Sequence, residues 1–175
     1  MPRVDINDYP ALKAYLDTHR DKLRDRSDQG DTFYNLRNCV YWRDFEKPKL
    51  IWGELADTPK FYLDESGYYG DTTTYYMGGE HLTYLLVYLN SPLSAYLFSK
   101  LGNTTGAGTI RWQKFKVEQQ LIPKVSPADE QRITDLYRRY QQTEDEACLK
   151  EAYHIIYNIV GLTIEEIEYI ETEES

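Results

Sequence analysis

Apolar positions recur at helical spacing over residues 10–26, where Leu12, Tyr15, Leu16, His19 and Leu23 share one face downstream of Asp8 as a cap; this predicts a first helix. A turn cluster, SDQGD, precedes TFYNLRNCVYW, whose aromatic and β-branched content reads as a strand despite imperfect alternation. KLIWGEL, KFYLD and TTYYM are further short strand-like runs, punctuated by Pro48, Gly53, Pro59, Gly67 and Gly70. Past Gly78 and Gly79 the period changes. Leu82, Leu85, Leu86 and Leu89 give one helical face, and Ser91 with Pro92 supplies the cap and first-turn proline of a second helix through Lys100. LGNTTGAG has the composition of a loop, and GTIRWQKFKVEQQLIP reads as one or two strand-like pieces closed by Pro123. Ser126, Pro127 and Asp129 set a helix start, Gly161 a stop, and Thr163 with Glu166 another capping box. Short strands with frequent turns, joined to helices, imply an α+β chain: a curled, mostly antiparallel sheet with packed helices and an acidic helical segment at the C-terminal end.

Charge sharpens this division. The net charge of -9 argues against a nucleic-acid partner until its distribution is read. From Ser126 onward 4 Lys/Arg stand against 13 Asp/Glu, which is -9, so residues 1–125 sum to zero. Within them, residues 96–124 hold Lys100, Arg111, Lys114, Lys116 and Lys124 against Glu118, a local +4. The chain therefore divides into residues 1–125 and a helical flank, 126–175. At 175 residues it is long enough for a real core, and its 17 tyrosines suit either an aromatic binding surface or the rim of an ordinary core. Cys39 lies in an apolar run where thiols are usually small buried hydrophobes, and Cys148 is far from it in sequence, so no disulfide is expected. His19, His81 and His154 are scattered without metal-ligand spacing, and no metal site is expected. With no long apolar run and no signal peptide, the expected compartment is the cytoplasm.

Catalytic motifs are missing. Asn90, Ser91, Pro92 and Leu93 superficially resemble the Asn-Pro-Pro-Tyr turn of adenine methyltransferases, but there is one proline and no fourth-place aromatic, and the preceding run is helical; a helix-to-helix turn is the reading. There is no glycine loop for a methyl donor, no phosphate-binding loop and no nuclease carboxylate cluster, so neither catalytic residues nor a cofactor are expected. Asp44 and Glu46, flanked by Arg43, Lys47 and Lys49, read as local ion pairing. What remains is cations interleaved with aromatics: Arg43, Lys47 and Lys49 with Tyr41, Trp42 and Phe45, and Arg111, Lys114 and Lys116 with Trp112 and Phe115. Either these cations meet phosphates and base edges, or the aromatics face the core and the cations solvate the other side of each strand. The residues alone favour the second.

The run YNLRNCVYWRDFEKPKLIW at residues 34–52, followed by LLVYLNS, RWQKF and LIP in that order, resembles the C-terminal specificity domain of TaqI-like adenine methyltransferases and type IIG restriction-modification enzymes, from the helix before Arg26 to the LTIEEIEYIE ending. The resemblance tips the balance towards DNA. It implies that residues 34–52 form sheet strands, that the LLVYLNS helix packs on that sheet, and that the Arg-Trp-Gln-Lys stretch leads to a "Leu-Pro-Ile-Pro" strand, changed here to Leu121, Ile122, Pro123 and Lys124. It further implies a target recognition domain that reads double-stranded DNA while a methyltransferase domain, in the parent protein or a partner chain, does the chemistry; this chain alone is then non-catalytic. Recognition loops vary between members, so the loops over residues 67–74 and 102–109 are the candidates for base reading. Arg37, Lys47, Lys49, Lys60, Arg111 and Lys114 are the candidate DNA-backbone contacts, and Arg43, Tyr75 and Asn103 are further DNA-binding candidates. The alternative is an acidic protein-interaction module or DNA mimic acting through the C-terminal helices.

Overall fold

The computed structural model describes residues 4–101 and 109–173. Its contacts separate Met1–Arg43 from Asp44–Ser175 as two compact units. In the first unit the predicted helix is two short ones, α1 (Pro10–Asp17) and α2 (Arg20–Arg24). The break falls where Thr18 Oγ1 turns back to donate to the Tyr15 carbonyl and His19 leaves the helical region at φ -110, a local competition that Ser and Thr side chains commonly win. Asp8 is not the cap: it lies in a 3-10 turn (Ile6–Asp8) capped by Asp5, and Tyr9 precedes Pro10. TFYNLRNCVYW is not a strand. Its aromatics are engaged locally: Tyr34 donates to Asp17 at 2.7 Å, Arg20 and Arg24 lie over Phe33, and Arg26 reaches the Asn35 carbonyl. Propensity gives those residues strand character, but among the described residues they find no ladder partner beyond one bridge, Gln29 to Leu36. Cys39 is exposed, contrary to the expectation of burial.

The second unit is built on a three-stranded antiparallel sheet in the order β3-β1-β4, with β1 Lys49–Gly53, β3 Tyr62–Asp64 and β4 Thr74–Gly78. A two-stranded antiparallel ladder pairs β2 (Leu55–Ala56) with β5 (Ile110–Arg111). The strand-like reading of KLIWGEL, KFYLD and TTYYM thus holds, whereas residues 42–46 form a 3-10 turn and only Ile110–Arg111 of the later stretch is strand; Lys114–Val117 is a helical turn, α5. Chain segments at 121–124 form no strand either. They are held instead by α3 (Leu82–Leu89), whose Tyr84 and Tyr88 hydroxyls donate to the Pro123 and Leu121 carbonyls, each at 2.7 Å.

α3 is the central element, burying Tyr84, Leu86, Val87, Tyr88 and Leu89 against the sheet on one side and the C-terminal helices on the other. Its end is a helix-to-helix turn, as the sequence reading has it. Asn90 bridges both backbone groups of Phe61 at 2.9 Å, and the Ser91 hydroxyl accepts from the Ser94 amide to open α4 (Pro92–Leu101). Ser126 caps α6 (Pro127–Thr143) by accepting from the Asp129 amide, with Pro127 in the first turn. Asp145 caps α7 (Glu146–Val160), which ends at Gly161 with φ +75. Thr163 and Glu166 exchange the reciprocal bonds of a capping box at the start of α8 (Ile164–Glu173). Ile133, Leu136, Ala152, Ile155, Ile156 and Tyr157 from these helices join Leu50, Trp52 and Phe98 in one core. Among the described residues no helix is long and apolar enough to cross a membrane.

Candidate nucleic-acid interface

Glu54 is the joint of the site. It sits between β1 and β2, and its backbone holds two other segments: its amide donates to the Thr73 carbonyl at 3.0 Å and its carbonyl accepts from the Trp112 amide at 2.7 Å. Its carboxylate pairs with Arg111 at 3.1 Å. One residue thus brings the end of the β3–β4 connection beside the Arg111 segment. That segment cannot drift, because Trp112 is buried, stacked on Phe98 at 4.0 Å with 6° between ring planes, and its carbonyl accepts from the Trp52 indole at 2.8 Å. Alternation along the strand then turns Arg111 outward while Trp112 faces the core.

The β3–β4 connection is fastened at both ends by aspartates. Asp64 Oδ1 accepts from the Ser66 amide and Oδ2 from the Tyr68 amide, both at 2.9 Å, and Oδ2 also accepts from Lys49 Nζ. Asp71 Oδ1 accepts from the Thr73 amide at 3.0 Å and from the Thr73 and Thr74 hydroxyls. Burial works against the charged form of Asp64, but the Lys49 ammonium and the two amides outweigh it and hold its carboxyl below the usual carboxylate range. Asp71 is lowered too, by the Thr73 amide first and then the two hydroxyls. Gly67 takes φ +77, which lets the chain turn at the tip. Tyr68 is exposed, and Tyr69, also exposed, rests on Phe45 with ring centroids 5.0 Å apart. The connection is therefore an ordered platform that presents phenol rings and threonine hydroxyls. Asp71 falls within the candidate 67–74 loop, whereas Asp64 and Glu54 lie outside every candidate read from the sequence. The two aspartates carry a readable signal, since each stands two residues before a Ser or Thr, the spacing of an Asx turn.

The candidate cations separate into distinct environments. Lys49 is a correction: it is buried in β1 at 1% exposure with its ammonium on Asp64 and the Phe45 carbonyl, out of reach of a phosphate, and it pairs with neither Asp44 nor Glu46. Tyr75 is half-buried, opposite Trp52 in the β1–β4 register with its ring 5.6 Å away, so its ring serves packing. Lys47, Lys60, Arg111 and Lys114 are exposed, and each faces a carboxylate of its own neighbourhood: Asp44 at 2.8 Å, Asp57 at 2.8 Å, Glu54 at 3.1 Å and Glu118 at 3.6 Å. In the first unit Arg37 stands 3.7 Å from Asp28, and Arg43 lies over the Trp42 ring at 5.3 Å. Asn103 and the 102–108 part of the second candidate loop lie outside the described residues. Exposed ion pairs of this kind contribute only ~0–1 kcal/mol, so a phosphate can displace the carboxylates. Phe115 is exposed beside Lys114 and Lys116, whereas Trp112 belongs to the core.

Among the described residues no cluster of three or more His, Cys, Asp or Glu could hold a metal ion. Among curated proteins, none matches the chain. Residues 4–122 match the TaqI-like C-terminal specificity domain; the match takes in the sheet, α3, α4 and the Arg111 segment and stops short of α6, α7 and α8. This match supports a DNA-recognition role in restriction-modification. The chain belongs to the TaqI-like C-terminal specificity domain family.

Proposed function

We propose that this chain is the target recognition domain of an adenine-specific DNA methyltransferase or restriction-modification enzyme, non-catalytic by itself, which positions duplex DNA for a methyltransferase domain elsewhere in the parent protein or in a partner chain. The observation that carries the reading beyond family membership is the convergence at Glu54 of the aspartate-fastened 65–74 connection and the Arg111 segment. Specific DNA recognition needs cations to fix register on the backbone and an ordered polar loop to meet base edges. Arg111 and such a loop meet at Glu54, the first on a segment held by buried Trp112 and the second held by Asp64 and Asp71. The contact set proposed on the second unit is Arg111, Lys114, Lys47 and Lys60 for phosphates and residues 67–74 and Asn103 for base reading; Arg37 and Arg43 are separate candidates on the first unit. Lys49 is removed from it.

Selection of random duplexes on the purified chain at low salt tests this. Enrichment of one short motif, bound with an affinity that falls steeply with salt, is the expected result. Recovery of unenriched sequence, or binding insensitive to salt, overturns the reading. Stoichiometric binding of a methyl donor by the chain alone overturns its non-catalytic part.

A further inference from the structure

We propose that the groove between α4 and α8 docks a short, basic, amphipathic peptide segment of a partner protein. Leu93 and Ile170 form its buried floor, Leu97, Leu162, Tyr96 and Tyr169 its walls, and Glu165 and Glu166 its rim. Its volume of about 350 Å³ lies in the range of pockets that take small ligands. Tyr96 and Tyr169 meet edge to face at 5.9 Å, so the aromatic wall is built rather than loose. Leu97 and Tyr169 nevertheless stay 38% and 53% exposed, and Ile164 beside the rim 72%. Apolar surface of this kind, bordered by charge, is what a helix-in-groove partner covers.

Charge selects the occupant. α8 reads IEEIEYIETE, five glutamates in ten residues with no Lys or Arg, and residues 126–175 sum to -9. Glu166 also accepts from the Thr163 amide in its capping box, while Glu165 makes no hydrogen bond or ion pair among the described residues. Lys100, at the end of α4, is stationed over the Tyr96 ring at 4.6 Å. DNA phosphates and anionic lipid headgroups are repelled by such a rim, and a second copy brings the same -9. A segment with one or two apolar anchors flanked by Lys or Arg satisfies both the floor and the rim. The α4 wall lies within the family-matched residues 4–122 and the α8 wall beyond them, but no proposed DNA contact lines the groove, so the inference does not rest on the DNA reading.

Displayed libraries of random short peptides, selected on the full chain and counter-selected on a Leu97→Glu, Tyr169→Glu variant, test the proposal. Both positions are exposed enough for a charged side chain, and circular dichroism checks that the variant is folded. Enriched peptides are expected to carry apolar anchors flanked by Lys or Arg, to bind the variant roughly tenfold or more weakly, and to weaken severalfold on Glu165→Lys and with added salt. Three results overturn it: no enrichment over the folded variant, a consensus that is acidic or uncharged, or a chain dimer that the same variant abolishes and that peptides do not displace.

Discussion

Lys49 and Asp64 are register partners across β1 and β3, each 1% exposed, and their side chains form a buried ion pair at the root of the β3–β4 connection. The two partners are not equivalent. Asp64 also holds the Ser66 and Tyr68 amides, whereas Lys49 adds only the Phe45 carbonyl. Removing one partner from a buried pair costs about 3–5 kcal/mol, because the other charge is left uncompensated. Lys49→Met and Asp64→Leu are therefore both expected to lower the urea midpoint by a corresponding amount. They differ in the loop: Asp64→Leu should speed hydrogen exchange at Ser66 and Tyr68 well beyond its effect elsewhere, and Lys49→Met should not. Equal exchange in the two variants removes Asp64 as the organiser of the connection.

Arg111 and Lys114 offer a direct test of phosphate contact. Replacing both by Ala should weaken binding to all duplexes about equally and reduce the salt slope by roughly two units, at roughly 0.9 per phosphate. The ion pairs add a converse expectation. Glu54 holds its neighbours through its backbone and, among the described residues, only Arg111 through its carboxylate, so Glu54→Gln should leave the joint intact and release the guanidinium. Glu118→Gln does the same for Lys114. This pair of neutral variants should bind duplex DNA more tightly than the parent at low salt. If it binds no better, the two cations serve only local pairing.

How far the fold is legible in the sequence depends on whether an element's determinants are local. Ser126 with Asp129, Ser91 with Pro92, Gly161, and Thr163 with Glu166 act within one turn of the chain, and the helix boundaries they imply are those of α6, α4, α7 and α8. The run around Phe33 and Tyr34 has strand composition but depends on distant partners, and Asp17, Arg20 and Arg24 claim its side chains first. Lys49 misled for a related reason. A lysine at the start of a strand reads as surface until register sets it opposite an aspartate fifteen residues on. The site followed the same rule: Arg111 and the 67–74 loop were visible as composition, but Glu54, which joins them, has no sequence signature because its role is carried by backbone groups.

Tyr84 and Tyr88 fasten the 121–124 segment, and both hydroxyls are pushed up to about 12 by burial. The unfolded tyrosine ionises near 10, so the unfolded state releases protons that the folded state keeps. Their contribution is fully present below pH about 10 and declines as pH rises towards about 12. Tyr84→Phe with Tyr88→Phe should therefore destabilise by about 0.5–1.5 kcal/mol per lost bond at neutral pH, yet flatten the fall in stability above pH about 10. Urea midpoints at neutral and alkaline pH decide this; an unchanged alkaline slope means that other groups dominate there.

The acidic helices contribute side chains to the core. Ile133, Leu136, Ala152, Ile155 and Ile156 all lie in the cluster with Leu50 and Trp52, and burying each of the four larger side chains contributes about 1.5–3 kcal/mol. Truncation after Val125 should abolish cooperative unfolding. Charge is the better probe of whether these helices oppose DNA. Glu165, Glu168 and Glu173 are exposed on α8, and changing all three to Gln should preserve the melting transition while raising non-specific duplex affinity at low salt. The gain should vanish as salt screens the field. A loss of affinity would mean that α8 contributes contacts.

The connection that Asp64 and Asp71 hold is the proposed base-reading segment. Asp71→Ala removes the acceptor for the Thr73 amide and for two hydroxyls, loosening the loop where it meets Glu54, without touching any candidate phosphate contact. Tyr68→Ala removes an exposed ring at the tip and disturbs no core residue. If residues 67–74 meet base edges, both variants should keep the parent's salt slope, since phosphate contacts are untouched. They should nonetheless lose discrimination between the selected motif and random duplex, by about 1–3 kcal/mol for each good base contact. Asp71→Ala should act through order and Tyr68→Ala through contact, so only the first should raise hydrogen exchange at Thr73. Competition binding with selected and random duplexes across a salt series separates the cases. An altered slope with intact discrimination would reassign the loop to the backbone and leave base reading to the other candidate segment.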